Sequence, residues 1–221
     1  MFKHELKYLL MIFCIPLFAQ EKINQTDEQG RRHGEWRVNF EGTNQLKFEG
    51  TFQHGKETGK FKFYKKGFQE HPTAIIEFQD ANTAEATYYS QDGKPISQGR
   101  IKNKQREGTW VYFHNKTEDT MMVENYSGGE LNGLQITYFP DGIKAEKTEY
   151  KNGKKHGESF IYGKNGQELQ HLNYKNGELH GPVSYYNAAG EKLIEGEYRE
   201  DRKTGNWRYF KDGNLDEEKE H

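Results

Sequence analysis

From residue 34 onward, apolar side chains recur at every second position in short runs: Trp36 and Val38, Phe61 and Phe63, Trp110 and Tyr112, Val183 and Tyr185, Trp207 and Tyr209. A period of two puts alternate side chains on one side of a pleated backbone, so each run predicts a β-strand. In two places the run slides by one residue, to Ile136 with Tyr138 and to Phe160 with Tyr162, and a small bulge near Gly133 and Gly157 would absorb the slip. The runs close on turns rich in residues that tolerate positive φ, among them Pro140-Asp141-Gly142, Lys164-Asn165-Gly166 and Lys211-Asp212-Gly213. A second strand then ends on a column formed by Phe52, Phe78, Ile101, Tyr126, Tyr150, Tyr174 and Tyr198, and a further turn such as Asn152-Gly153-Lys154-Lys155-His156-Gly157 reverses the chain.

The unit recurs. A glycine opens the first strand at Gly34, Gly59, Gly108, Gly133, Gly157, Gly181 and Gly205, with Ala84 standing in at the remaining position, so the successive spacings are 25, 25, 24, 25, 24, 24 and 24 residues. Eight units, the last truncated, therefore occupy residues 34–213. Two strands and two turns in so short a unit leave no length for a crossover helix. The predicted fold is all-β, an elongated single-layer antiparallel array of β-hairpin repeats. One hairpin is marginal in water, and each unit is expected to bury its rings only against its neighbours.

Gly50, Gly99 and Gly196 lie within second strands, two residues before column positions Phe52, Ile101 and Tyr198. Either a neighbouring ring lies over the bare backbone there or the glycines mark plain bulges. A second row of rings, Tyr64, Tyr89, Phe113, Tyr186 and Phe210, falls on the face opposite Phe63, Tyr88, Tyr112, Tyr185 and Tyr209 if the strands alternate strictly. One layer of sheet cannot hide both faces, so this second row is the candidate binding surface; the alternative is that both rows pack along the ribbon with lysine stems covering them.

Outside the repeats, Lys3 and Lys7 precede an apolar run from Tyr8 to Ala19 that is too short to span a bilayer. It reads as a signal peptide over residues 1–19, followed by a polar lead-in over 20–33, and it predicts a periplasmic or secreted protein. The only cysteine, Cys14, lies in that leader, so the exported chain would carry neither disulfide nor thiolate site. Loss of Lys3, Lys7 and Glu5 changes 32 basic and 34 acidic residues to 30 and 33, a net charge of about −3. A near-neutral ribbon lacks the cationic excess that phosphate backbones require, which excludes nucleic acid, and the absence of a polybasic cluster argues against lipid. Residues 214–221 read as a charged tail that discourages edge-to-edge pairing.

Candidate chemistry is sparse. His33, His156 and His180 precede repeat glycines, and equivalent turns hold them apart instead of converging them on one ion. There is no G-x-S-x-G elbow, no thiol outside the leader and no arrangement that marks a nucleophile, so neither catalysis nor a cofactor is expected.

The segments Tyr150-Lys151-Asn152-Gly153-Lys154-Lys155-His156-Gly157 and Tyr174-Lys175-Asn176-Gly177-Glu178-Leu179-His180-Gly181 resemble the MORN repeat in its bacterial variant form, and the likeness extends over most of residues 31–213. Chains of this make-up are similar to the YwqK family, named as the antitoxin component of toxin and antitoxin pairs. The resemblance implies a non-catalytic scaffold that binds a protein partner, here in the cell envelope, as an antitoxin or immunity component. The alternative is a polysaccharide or peptidoglycan binder that stacks sugars on the ring row. Sequence leaves the partner, the face used and the oligomeric state open.

Overall fold

The computed structural model describes residues 22–68, 70–115 and 117–221, and the leader expected over residues 1–19 lies outside them. Nineteen strands and no helix make up the described chain. Every pairing is antiparallel, and apart from two interruptions each strand pairs with the one that follows it, from Arg32–Asn39 with Leu46–Gln53 through to Arg202–Lys211 with Asn214–Glu220. Two of the outgoing strands are interrupted: Glu130–Leu131 and Gly133–Tyr138 both pair with Thr120–Ser127, and Glu178–Leu179 and Gly181–Tyr186 both pair with Glu168–Lys175. The result is one open, single-layer sheet that grows by a hairpin per repeat, as the sequence predicts.

The returning turns are tighter than the sequence segments that mark them. Asn152 and Gly153 have φ of 50° and 75°, a two-residue turn of the kind that matches the twist of a hairpin, and the strand resumes at once as Lys154–Tyr162. The expected charged tail is also a strand: Asn214–Glu220 pairs with Arg202–Lys211 in the register Trp207↔Lys219 and Arg208↔Glu218. Its side chains are all exposed, so it gives no apolar alternation for a sequence reading to find.

Junctions between repeats share one irregularity. Glu49 pairs with Lys62 and Thr51 with Thr58, so residues 59–61 face Gly50 alone. The same surplus of two residues recurs where Gly99↔Trp110 is followed by Arg100↔Glu107, where Thr148↔Ser159 is followed by Tyr150↔Lys155, and where Glu195↔Arg208 is followed by Glu197↔Thr204. In each bulge the repeat glycine adopts positive φ, such as 63° at Gly59, 67° at Gly108 and 64° at Gly205, backbone that a side chain with a Cβ rarely adopts. The exception tests the rule. Where Ala84 replaces the glycine, Ala74–Phe78 and Thr83–Tyr89 pair from Ala74↔Tyr88 to Phe78↔Ala84 without a register shift.

These bulges set a buried column. The residue two past each repeat glycine lies against the middle of the preceding strand, and in three repeats a large ring meets a glycine there: Phe61 on Gly50, Trp110 on Gly99 and Trp207 on Gly196. These rings are 1%, 0% and 1% exposed. The glycines thus underlie rings, with the bulge on the opposing strand supplying the length that brings each ring across. Three further repeats fill the same volume with other pairs: Glu124 with Gln135, Thr148 with Ser159, and Leu172 with Val183.

This geometry corrects the expected slip near Gly133 and Gly157. The register Gln135↔Thr148 and Ser159↔Leu172 puts Gln135 and Ser159 in the positions held by Phe61 and Trp110. Ile136 and Phe160 therefore point to the other face, and the bulges there are the ones found at the other repeat glycines. Apolarity slides in these two repeats; register does not.

Candidate binding surfaces

The two faces of the sheet differ in kind. All the buried side chains, from Phe52, Phe61, Trp110 and Trp207 to Glu124, Thr148 and Ser159, share the face that carries the central column, which is here called the packed face. On it the rings bury one another edge to face, with Phe52 and Phe61 at 5.1 Å, Phe61 and Phe78 at 5.4 Å, and Tyr198 and Trp207 at 5.1 Å. Cationic side chains at the position two before the repeat glycine lie over the rings. Arg32 sits 4.7 Å from the Trp36 ring centre, Arg106 4.4 Å from Trp110 and Lys203 4.0 Å from Trp207, so stem and charge both shield the aromatic column.

The middle of the packed face is polar. Glu124 accepts from the Tyr126 hydroxyl at 2.7 Å and from Gln135 Nε2 at 2.8 Å, while Arg106 donates to the hydroxyls of Tyr112 and Tyr126. One repeat on, Thr148 Oγ1 donates to Glu146 at 2.8 Å and lies 2.7 Å from Ser159 Oγ. Burial, reinforced by the hydrogen bond toward Glu124, raises the Tyr112 phenol well above its ordinary range. Sequence reading missed this network because it followed apolar residues. Counting two residues on from each repeat glycine would have found Gln135 and Ser159.

The opposite, open face carries a single row that crosses the sheet strand by strand. It runs Arg37, Glu49, Lys62, Ile75, Thr87, Gln98, Val111, Val123, Ile136, Lys147, Phe160, His171, Ser184, Glu195, Arg208, Glu218, each residue directly opposite the next. Its ends are charged and paired. Glu49 lies 2.9 Å from Lys62 and 3.6 Å from Arg37 at one end, and Arg208 lies 2.9 Å from Glu195 and 3.6 Å from Glu218 at the other. The hydrogen bond from Lys62, with its charge, holds the Glu49 carboxyl below the usual carboxylate range, and Lys192 and Arg208 act likewise on Glu195. Between the ends lies the apolar stretch Val111, Val123 and Ile136.

Beside this row runs the column of rings predicted from the sequence. Tyr64, Tyr89, Phe113, Tyr186 and Phe210 all keep intermediate exposure on the open face, where the Tyr64 hydroxyl donates to Glu49 at 3.1 Å. The corrected register adds Tyr138 and Tyr162 to the same column, so seven consecutive repeats each contribute one ring. Each of the last six rings begins a shift in which the partner strand holds one unpaired residue. Ile96, Met121, Ala145, Leu169 and Leu193 fill five of these places, and Ile96 and Leu193 are 37% and 40% exposed. A cavity of about 460 Å³ opens along the column between Val123, Thr120, Tyr138 and Pro140, with Asp119 and Asp141 at its rim.

The repeat-defining residues take structural places. Gly34, Gly59, Gly108, Gly133, Gly157, Gly181 and Gly205 have positive φ, and Tyr126, Tyr150, Tyr174 and Tyr198 line the packed face near the junctions. The His33 ring lies tilted against that of His54 with centroids 4.9 Å apart, whereas His156 and His180 occupy later junctions one repeat apart. Among the described residues, no three His, Cys, Asp or Glu side chains gather in a way that would hold a metal ion. No model of a known protein family matches the chain.

Proposed function

We propose that the chain is an exported, non-catalytic scaffold of MORN type that binds a protein partner along the ring column of its open face. The observation that carries this reading is the asymmetry of the sheet. Rings on one face are consumed in packing, while those on the other, seven deep and interleaved with half-exposed aliphatic residues, are covered by no second layer among the described residues. Aromatic side chains at fixed spacing on a rigid sheet are efficient interface anchors, because little conformational freedom is lost when they are buried. The paired charges at both ends of the central row would frame an apolar middle and set the partner's position along the ribbon. An antitoxin or immunity role in the cell envelope is the form of this reading that the resemblance to the YwqK family favours.

A second reading rests on the regularity of the column. Rings of successive repeats stand two strands apart, about 10 Å, a repeat on which a polysaccharide could stack. Purification of the tagged protein from its native source, in parallel with Phe113→Ser and Tyr162→Ser variants and with sedimentation on isolated cell wall, separates the two. The protein-binding reading expects one stoichiometric protein that the variants lose. Retention on wall material, released by soluble oligosaccharide and without a protein partner, would replace it with the glycan reading.

A further inference from the structure

On the packed face, the position two before the repeat glycine is occupied by Arg32, Arg106, Lys155 and Lys203 in four repeats, each lying over a ring. The geometry is repeatable: the guanidinium carbon of Arg32 is 5.1 Å from the Phe52 ring centre, that of Arg106 is 5.3 Å from Tyr126, and Lys155 Nζ is 5.1 Å from Tyr174. Two further repeats place Leu131 and Leu179 there. In the two remaining repeats the position falls to Glu57 and Asn82, both exposed, and neither brings an aliphatic stem or a cation over Phe78 and Ile101.

The same stretch lacks two other features. Ala84 forms no bulge, and the buried column holds Ala86 where other repeats hold Trp110 or Trp207. A cavity of about 500 Å³ results, with Ile76, Phe78, Ala84 and Ile101 among its lining residues and with Glu57 at one side and Lys104 at another. That volume and its apolar lining with a few polar groups suit a bound side chain.

We propose that this cavity binds an arginine or lysine side chain presented by a partner polypeptide, its stem over Phe78 and Ile101 and its charge against Glu57. The argument comes from the molecule's own precedent: four times it covers this spot with a cation, and at the cavity it instead supplies a ring, an aliphatic wall and a carboxylate, which are complementary to that cation. Lys104 limits the site to one cation, seated toward Glu57. The site lies on the face opposite the ring column, so it stands or fails independently of the function proposed above.

The test uses backbone amide NMR of the full chain, titrated with N-acetyl-arginine amide and, in parallel, with the neutral isostere N-acetyl-citrulline amide. The proposal expects shifts centred on Phe78, Ala84 and Ile101, at least fivefold weaker with citrulline and at least fivefold weaker in Glu57→Gln. A second variant, Glu57→Arg, places a cation where Arg106 has one. It is expected to fold, to raise the melting temperature and to abolish arginine binding. Equal shifts from both probes, shifts centred elsewhere, no shifts at all, or unaltered arginine binding to Glu57→Arg would each overturn the proposal.

Discussion

The indole of Trp110 lies across the backbone of Gly99 so closely that a Cβ on that glycine would fall 2.5 Å from Trp110 Cδ2. No real Cβ tolerates such a distance, and the contact on the far side is a fully buried ring, so the neighbour has nowhere to move. Gly99→Ala is therefore expected to destabilise the array by about 1–3 kcal/mol, as overpacking does. Trp110→Ala is expected to cost about 3–5 kcal/mol. Chemical denaturation checks both, and in an array of this kind the loss should localise, so hydrogen exchange should quicken first in the strands Pro95–Lys102 and Gln105–Phe113.

The repeat glycines make a different prediction, because their difficulty is backbone and not space. A Cβ on Gly108 or Gly205 would meet nothing within 4 Å, but φ is 67° and 64°. Alanine there should cost about 1 kcal/mol, and asparagine, which visits this region more readily, should cost less. Ala84→Gly removes a side chain from a bulge-free strand and should also destabilise, by about 0.5–1 kcal/mol. Opposite preferences between the same pair of residues at equivalent repeat positions are the signature of the missing bulge, and thermal melts of these variants read it.

How much of this was legible follows from where the signal lay. The 24 to 25 residue period, the ring rows and the place of Gly50, Gly99 and Gly196 all follow from spacing, which survives substitution of individual residues. The polar pairs Glu124 with Gln135 and Thr148 with Ser159 did not stand out, since a hydrophobic pattern reads a buried polar residue as a gap and slides to Ile136 or Phe160. That slide also concealed Tyr138 and Tyr162 as members of the open-face column. The last strand, Asn214–Glu220, was hidden for the reverse reason: an edge strand exposed on both faces carries no alternation.

The hydroxyl pair in the middle of the packed face has a directional weakness. Thr148 donates to Glu146, so Ser159 must donate to Thr148. Thr148→Val strands the buried Ser159 hydroxyl and should cost about 1–3 kcal/mol, whereas Ser159→Ala, which leaves the Thr148 to Glu146 bond intact, should cost about 1 kcal/mol. The double variant Thr148→Val with Ser159→Ala is expected to be no less stable than Thr148→Val alone. A double-mutant cycle from urea denaturation measures it.

Stability should fall at both ends of the pH scale, for separate reasons. Glu49 and Glu195 are held below the usual carboxylate range by Lys62 and by Lys192 with Arg208, so their contribution is present above the unfolded-chain value and is lost as pH falls through the depressed folded one. Tyr185, which burial pushes up to about 12, works in the other sense. Its contribution is full below the ordinary phenol range and is lost as pH rises through the folded value. Denaturation midpoints across pH should show a plateau near neutrality, and Glu49→Gln with Glu195→Gln should flatten only the acid limb.

The open-face ring column is the central claim, and a photoreactive residue placed at Tyr162 tests it most directly, with a second placed at Lys155 on the packed face as its control. Irradiation in the native source is predicted to trap one protein in stoichiometric yield from position 162, to trap little from position 155, and to be competed by excess unlabelled protein but not by Phe113→Ser protein. Equal trapping from both positions, or trapping at 162 that Phe113→Ser competes as well as the parent chain, would contradict the assignment of the binding face.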